Sequence, residues 1–119
     1  MIIFNGYYKC KSMVTVDEFR AQALSFPEAE ELPHFGIPSF RYKNKVFATY
    51  REKENYAMLK LPLIEQSVFC SFGKAVFFPV EGTWGAQGAT FVDLKKVRKD
   101  MFKDALTVAY NGLAKKGKK

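Results

Sequence analysis

Ser39-Phe40-Arg41-Tyr42-Lys43-Asn44-Lys45-Val46-Phe47-Ala48-Thr49-Tyr50-Arg51 is the stretch that decides how this chain folds. Apolar and polar side chains alternate from Ser39 to Lys43, the period of a half-buried strand. Asn44-Lys45 is expected to form a tight turn, because Asn tolerates left-handed backbone angles. Val46 to Arg51 then returns as the second strand of a hairpin. Glu52 to Asn55 turns the chain again, and Tyr56 to Leu61 reads as a third strand. The three make an antiparallel meander.

Working outward, the N-terminal side begins with a helix signal. Thr15 and Glu18 have the spacing of a capping box, and Val16, Phe19, Ala23 and Leu24 recur at helical spacing. Pro27 ends that helix, since the residue before a proline avoids helical angles. Glu28, Glu30 and Glu31 follow and read as a solvated acidic surface. On the C-terminal side, Leu63 to Phe72 reads as a short helix introduced by Pro62 and stopped by Gly73. Ala75 to Val80 and Ala89 to Leu94 pair as strands around the loop Trp84-Gly85-Ala86-Gln87-Gly88, with Pro79 marking an edge or a bulge. The two glycines of that loop imply unusual backbone angles, and its tryptophan is either a plug over the core or a contact surface. A last helix runs from about Val97 to Ala114.

The expected fold is therefore α+β, a two-layer domain in the order α-β-β-β-α-β-β-α, with an antiparallel sheet and the helices packed on one face. Alternating βαβ units are absent, which argues against a parallel nucleotide-binding sheet. One domain spans 13–114. Residues 1–12 lack a clear period: either they are an extension upstream of a start at Met13, or Ile2 to Tyr8 forms an extra strand. Residues 115–119 are a basic tail.

Hydrophobic residues make up 48% of the 119 residues, enough for one core and too many for a disordered chain. No apolar run approaches the roughly 20 residues that cross a bilayer, and Ile2-Ile3-Phe4 is too short for a signal peptide. A soluble cytoplasmic protein with no membrane partner is expected. Cys10 and Cys70 form no CxxC pair, and Cys70 reads as a small buried hydrophobe. The net charge is +7, unevenly spread. The meander carries Arg41, Lys43, Lys45, Arg51, Lys53 and Lys60 against Glu52 and Glu54, a net +4, and residues 95–119 carry +7, offset by −4 in the rest of the chain.

The sequence offers no catalytic set. A lone His34 supports neither a metal site nor a nucleophile–base pair, and no HExxH, EF-hand or P-loop pattern occurs. Gly82, Gly85 and Gly88 lie in a hairpin rather than between a strand and a helix, so they do not form a phosphate cradle. No catalytic residue, metal or cofactor is expected. A binding surface fits better. Alternation on the strand turns Arg41 and Lys43 away from Phe40 and Tyr42, and Tyr50, Tyr56 and Trp84 add flat faces among the bases. The competing reading of these charges is a merely solvated face. Lys95, Lys96, Arg98 and Lys99 form a second basic cluster at the start of the last helix, where cations oppose the helix dipole.

The order of elements resembles the MmcQ/YjbR family of small bacterial proteins over nearly the whole chain from Met13. The likeness rests on Phe19, Ala23-Leu24-Ser25-Phe26-Pro27, Gly36-Ile37-Pro38-Ser39-Phe40-Arg41, Lys45-Val46-Phe47-Ala48, Leu59-Lys60, the Trp84 to Thr90 loop and Val92-Asp93-Leu94. It implies a fold like that of type III secretion chaperones and, loosely, frataxin. It also implies a non-enzymatic DNA-binding protein whose hairpins act as two wings. Arg41, Lys43, Lys45, Arg51, Lys53 and Lys60 would then neutralise phosphates, and Trp84 would pack against sugar or base. Ala86 stands where a basic residue is usual in the family, and Ala89 where a second tryptophan is usual. The alternative is a protein-interaction module that receives a partner segment on the open sheet face or an edge, with an apolar patch around Tyr50, Tyr56, Met58 and Phe91.

Overall fold

The computed structural model describes residues 13–114; the extension read over 1–12 and the basic tail over 115–119 lie outside the described residues. The chain is α+β, a six-stranded antiparallel sheet with its main helices on one face. Helix α1 (Val16–Ser25) leads into β1 (Ala29–His34), β2 (Ile37–Tyr42), β3 (Lys45–Arg51) and β4 (Tyr56–Lys60). Helix α2 (Leu63–Phe72), strand β5 (Phe77–Pro79), the four-residue helix α3 (Thr83–Ala86), strand β6 (Ala89–Asp93) and helix α4 (Lys99–Ala114) complete it. The strand order is β1-β2-β3-β4-β6-β5.

The capping box forms as the sequence indicates. The Glu18 amide donates to Thr15 Oγ1 at 3.1 Å, and the Thr15 amide donates to Glu18 Oε1 at 2.9 Å. Phe26, before Pro27, is extended and ends α1. The hairpin turn, however, is one residue earlier than expected. Lys43 and Asn44 both have positive φ (50° and 70°), and Tyr42 pairs with Lys45. This is the two-residue hairpin whose backbone twist matches the strands.

Three elements differ from the sequence reading, the first being the strand expected over Ala75 to Val80, which is shortened to Phe77–Pro79. The acidic stretch is not simply a solvated surface, because Ala29–His34 adds an edge strand to β2. Glu31 points to the helix face, where it accepts from Arg20 Nε at 2.8 Å. The Trp84 loop folds into the short helix α3. Pro79 does end an edge strand, as a missing amide donor requires.

The core lies between the sheet and α1, α2 and α4. Phe19 meets Phe40 at 5.0 Å and Phe102 at 5.2 Å between ring centroids, and Phe69 meets Phe77 at 5.3 Å. Tyr110 stacks on Phe26 at 4.5 Å and donates its hydroxyl to Pro27 O at 2.7 Å. A bulge between β2 and β3 decides which side chains of β3 reach each face of the sheet. Phe40 opposes Ala48 and Arg41 opposes Val46, so Phe47 is the extra residue. Phe47 turns into the core with Phe26 and Tyr110, while Val46 stays on the opposite face.

Candidate nucleic-acid interface

The pairing register fixes which side chains share the face turned away from the helices. Thr49 opposes Met58, and Met58 opposes Phe91; on the same face lie Ile37, Arg41, Val46, Arg51 and Lys60. This face forms an open trough of about 1010 Å³. Its floor is Ile37, Val46, Thr49, Met58 and Phe91. One end is walled by the β1–β2 and β3–β4 turns, with Phe35, Glu52, Lys53 and Glu54. The other end holds Lys60 and Trp84, with Leu113 of α4 beside them.

Of the seven residues expected to contact nucleic acid, five line this trough: Lys45, Arg51, Lys53, Lys60 and Trp84. Arg51 lies over the Phe91 ring at 5.5 Å and contacts Glu54 at 3.8 Å. Lys60 Nζ lies 5.7 Å from the centre of the Trp84 ring. Lys45, Lys53 and Lys60 form no ion pair among the described residues. Arg41 is on the expected face but outside the trough. Its Nε donates to Ser39 Oγ at 3.1 Å, and its Nη2 reaches Pro33 O and His34 Nδ1 at 3.5 Å.

Lys43 does not share the face of Arg41. Because the turn includes it, strand alternation stops at Tyr42, and its ammonium lies 5.4 Å from the Tyr42 ring. Tyr42 packs on Tyr110, on the helix side. Tyr50 also leaves the expected patch. It faces Phe19 at 6.2 Å and donates to Asn55 Oδ1 at 3.0 Å. Tyr56, Met58 and Phe91 do lie on the open face, half-buried. In the second basic cluster, Arg98 pairs with Asp100 at 3.1 Å and Lys99 donates to Glu18 at 2.6 Å, and none of the four residues lines the trough.

Trp84 is 63% exposed, so it does not plug the core. Its position is nevertheless firmly set from below. A Cβ at Gly85 would meet Val80 O at 1.6 Å, and one at Gly88 (φ +111°) would meet Leu61 O at 1.9 Å. Neither position accepts a larger residue without backbone movement. Gln66 of α2 supplies the remaining tie. Its buried Nε2 lies within 3.2 Å of Gly85 O, Ala89 O and Thr90 Oγ1, two donor hydrogens shared among three acceptors. Thr90 in turn donates to Gly88 O. Sequence reasoning missed Gln66; its signal was a polar residue three positions before Phe69 on the inward stripe of α2.

Phe35 was also missed. It is 94% exposed and takes φ 52° in a two-residue turn with Gly36 (φ 82°). A second apolar surface, Ile64, Val68 and Phe72 on α2, is exposed as well, but the only charged residue on that helix is Glu65. Cys70 is half-buried, and burial pushes its thiol above the usual range, away from nucleophilic chemistry. His34 is exposed. Among the described residues, no group of three or more His, Cys, Asp or Glu is placed to hold a metal ion, and no helix is long and apolar enough to cross a membrane.

No protein-family model matches the sequence, and no curated protein sequence matches it significantly. Among solved structures, the fold is similar to Deinococcus radiodurans protein DR2400, a protein with a DUF419 domain. The TM-score is 0.75 at 18% identity, over 88% of this chain and 82% of that one. At this identity the likeness concerns the fold.

Proposed function

We propose that this chain is a non-enzymatic, cytoplasmic nucleic-acid-binding protein of the MmcQ/YjbR type, which holds DNA through its phosphate backbone. The observation that carries the reading is the trough's charge. Lys45, Arg51, Lys53 and Lys60 line it against Glu52 and Glu54 alone, and three of the four cations form no ion pair among the described residues. A polyanion laid along the trough meets lysines that give up no ion pair among the described residues. Arg51, shared with Glu54, contributes less. About three phosphate contacts give log K a slope of about −2 to −3 against log salt, and binding in the micromolar range or weaker at physiological salt.

Fluorescence anisotropy of a labelled random-sequence DNA, titrated with protein at several salt concentrations, tests the reading. Binding that weakens steeply with salt is expected. No binding at about 100 µM protein and low salt overturns it.

The apolar floor favours a second reading, a partner peptide laid along the open face. Such a complex would survive added salt and would not be displaced by DNA.

A further inference from the structure

We infer that the nucleic acid taken by this trough is single-stranded, with unstacked bases lying over the floor between Phe35 and Trp84. The inference rests on the polyanion reading above and narrows it. A duplex presents phosphates and keeps its bases stacked inside. It can satisfy Lys45, Lys53 and Lys60, but it leaves Ile37, Val46, Met58 and Phe91 facing water or sugar. Only splayed bases have flat apolar faces free to cover such a floor.

The two aromatic ends point the same way. Phe35 occupies a left-handed position that a bulky side chain rarely takes, in a turn where Asn or Gly would fit with less strain. It is also almost wholly exposed. Backbone strain and apolar exposure therefore coincide at one residue on the rim. At the other end, Trp84 is exposed but held from below by Gln66 and by the close approaches at Gly85 and Gly88. An indole on so fixed a base loses little freedom when a base stacks on it. Lys60 sits against the same ring, within reach of the phosphate that follows a stacked base.

Between these ends the trough runs along β4, about 15 Å, with room for about two or three unstacked nucleotides. Thr49 is the one polar side chain on the strand floor, so stacking dominates over reading of base edges. Weak sequence preference follows.

Trp84 is the only tryptophan in the chain, which makes its fluorescence a direct report on the trough. The test titrates the full-length protein, at low salt, with a short oligothymidylate, a blunt duplex of equal length, and a polyglutamate peptide. The oligothymidylate is expected to quench Trp84 and to bind at least tenfold tighter than the duplex. Trp84→Ala and Phe35→Ala are each expected to weaken its binding about tenfold, measured by anisotropy of the labelled strand, while Trp84→Phe keeps most of it. Circular dichroism of both alanine variants should match the parent, since both rings are exposed. Equal or tighter duplex binding without quenching overturns the single-strand inference and leaves the DNA-binding reading standing. Unchanged oligothymidylate binding by both alanine variants overturns the stacking. Polyglutamate that binds with the same quenching overturns the inference in favour of an acidic peptide. Failure of both nucleic acids to bind at about 100 µM removes the inference and the reading together.

Discussion

The sheet's two faces are built from the same strands and answer to different constraints. The helix-covered face carries Phe40, Ala48, Ala57, Leu59 and Val92, each no more than 1% exposed. The open face carries Ile37, Val46, Met58 and Phe91, half-buried and bordered by cations. Apolar side chains on both faces look equivalent in a binary pattern. They differ in what covers them. On one side the cover is α1, α2 and α4; on the other it is partial, the charged ends of Arg51 and Lys60 lying over the rings of Phe91 and Trp84. The first face should govern stability and the second binding, and each substitution below tests that division.

The largest effect is expected at Phe19, which is fully buried against Phe40 and Phe102. Phe19→Ala removes a large ring and leaves a cavity. A loss of about 3–5 kcal/mol is expected in urea denaturation. Met58→Ala, the matching truncation on the open face, should cost clearly less, because its side chain already meets solvent. Equal losses would break the division.

Gln66→Leu should come next. It takes a donor away from three buried acceptors, and a loss of about 1–3 kcal/mol is expected in the same assay. This residue belongs to the helix layer yet supports the Trp84 loop of the open face. Its loss should therefore also shift Trp84 emission and weaken DNA binding. An unchanged emission spectrum would show that the two faces are independent even there.

Sequence alone carried much of this architecture and less of the interface, for physical reasons. Helix α2 was legible because Pro62 and Gly73 bracket an apolar run, and its bounds agree with the reading. The capping box at Thr15 was legible because it depends only on local spacing. Strand β1 was not, because Glu30, Glu31 and Pro33 have low strand propensity; its pairing with β2 is tertiary. The same limit applied to Lys43. A shift of one residue in the turn carries a side chain to a different side, and periodicity does not fix a turn that finely. The cations of the trough were found because the meander concentrates them in sequence. Phe35 and Gln66 were not, because each matters only through a turn geometry or a buried polar network.

Lys60 and Lys43 form a smaller and sharper contrast. Both belong to the basic meander, but only Lys60 lines the trough. Lys60→Ala should reduce the salt slope of DNA binding by about 1 and weaken binding severalfold at low salt. Lys43→Ala should leave both nearly unchanged. Both variants should stay within about 0.5 kcal/mol of the parent in stability. Equal effects on binding would mean that net charge matters and the trough does not.

The smallest effect belongs to the helix layer and concerns pH. The hydrogen bond from Lys99, reinforced by the Thr15 amide, holds the Glu18 carboxyl below the usual carboxylate range. A carboxyl with a depressed folded-state pKa binds its proton less readily when folded than when unfolded. Its contribution is therefore complete above the ordinary value near 4.5 and fades as pH falls through the lowered one. Both side chains are about 40% exposed (44% for Lys99, 40% for Glu18), so solvent screening keeps the contribution to a few tenths of a kcal/mol, roughly. Glu18→Gln keeps an oxygen for the Thr15 amide and removes only the charge. Parent and variant should differ slightly in urea midpoint at pH 7, converge as pH falls from about 4.5 through the lowered carboxyl value, and converge equally at high salt. DNA binding by Glu18→Gln should stay close to that of the parent at pH 7, because Lys99 lies outside the trough. A marked gain in binding when Glu18 loses its charge would instead tie the cluster at the start of α4 to the nucleic-acid surface, and would extend that surface beyond the open face of the sheet.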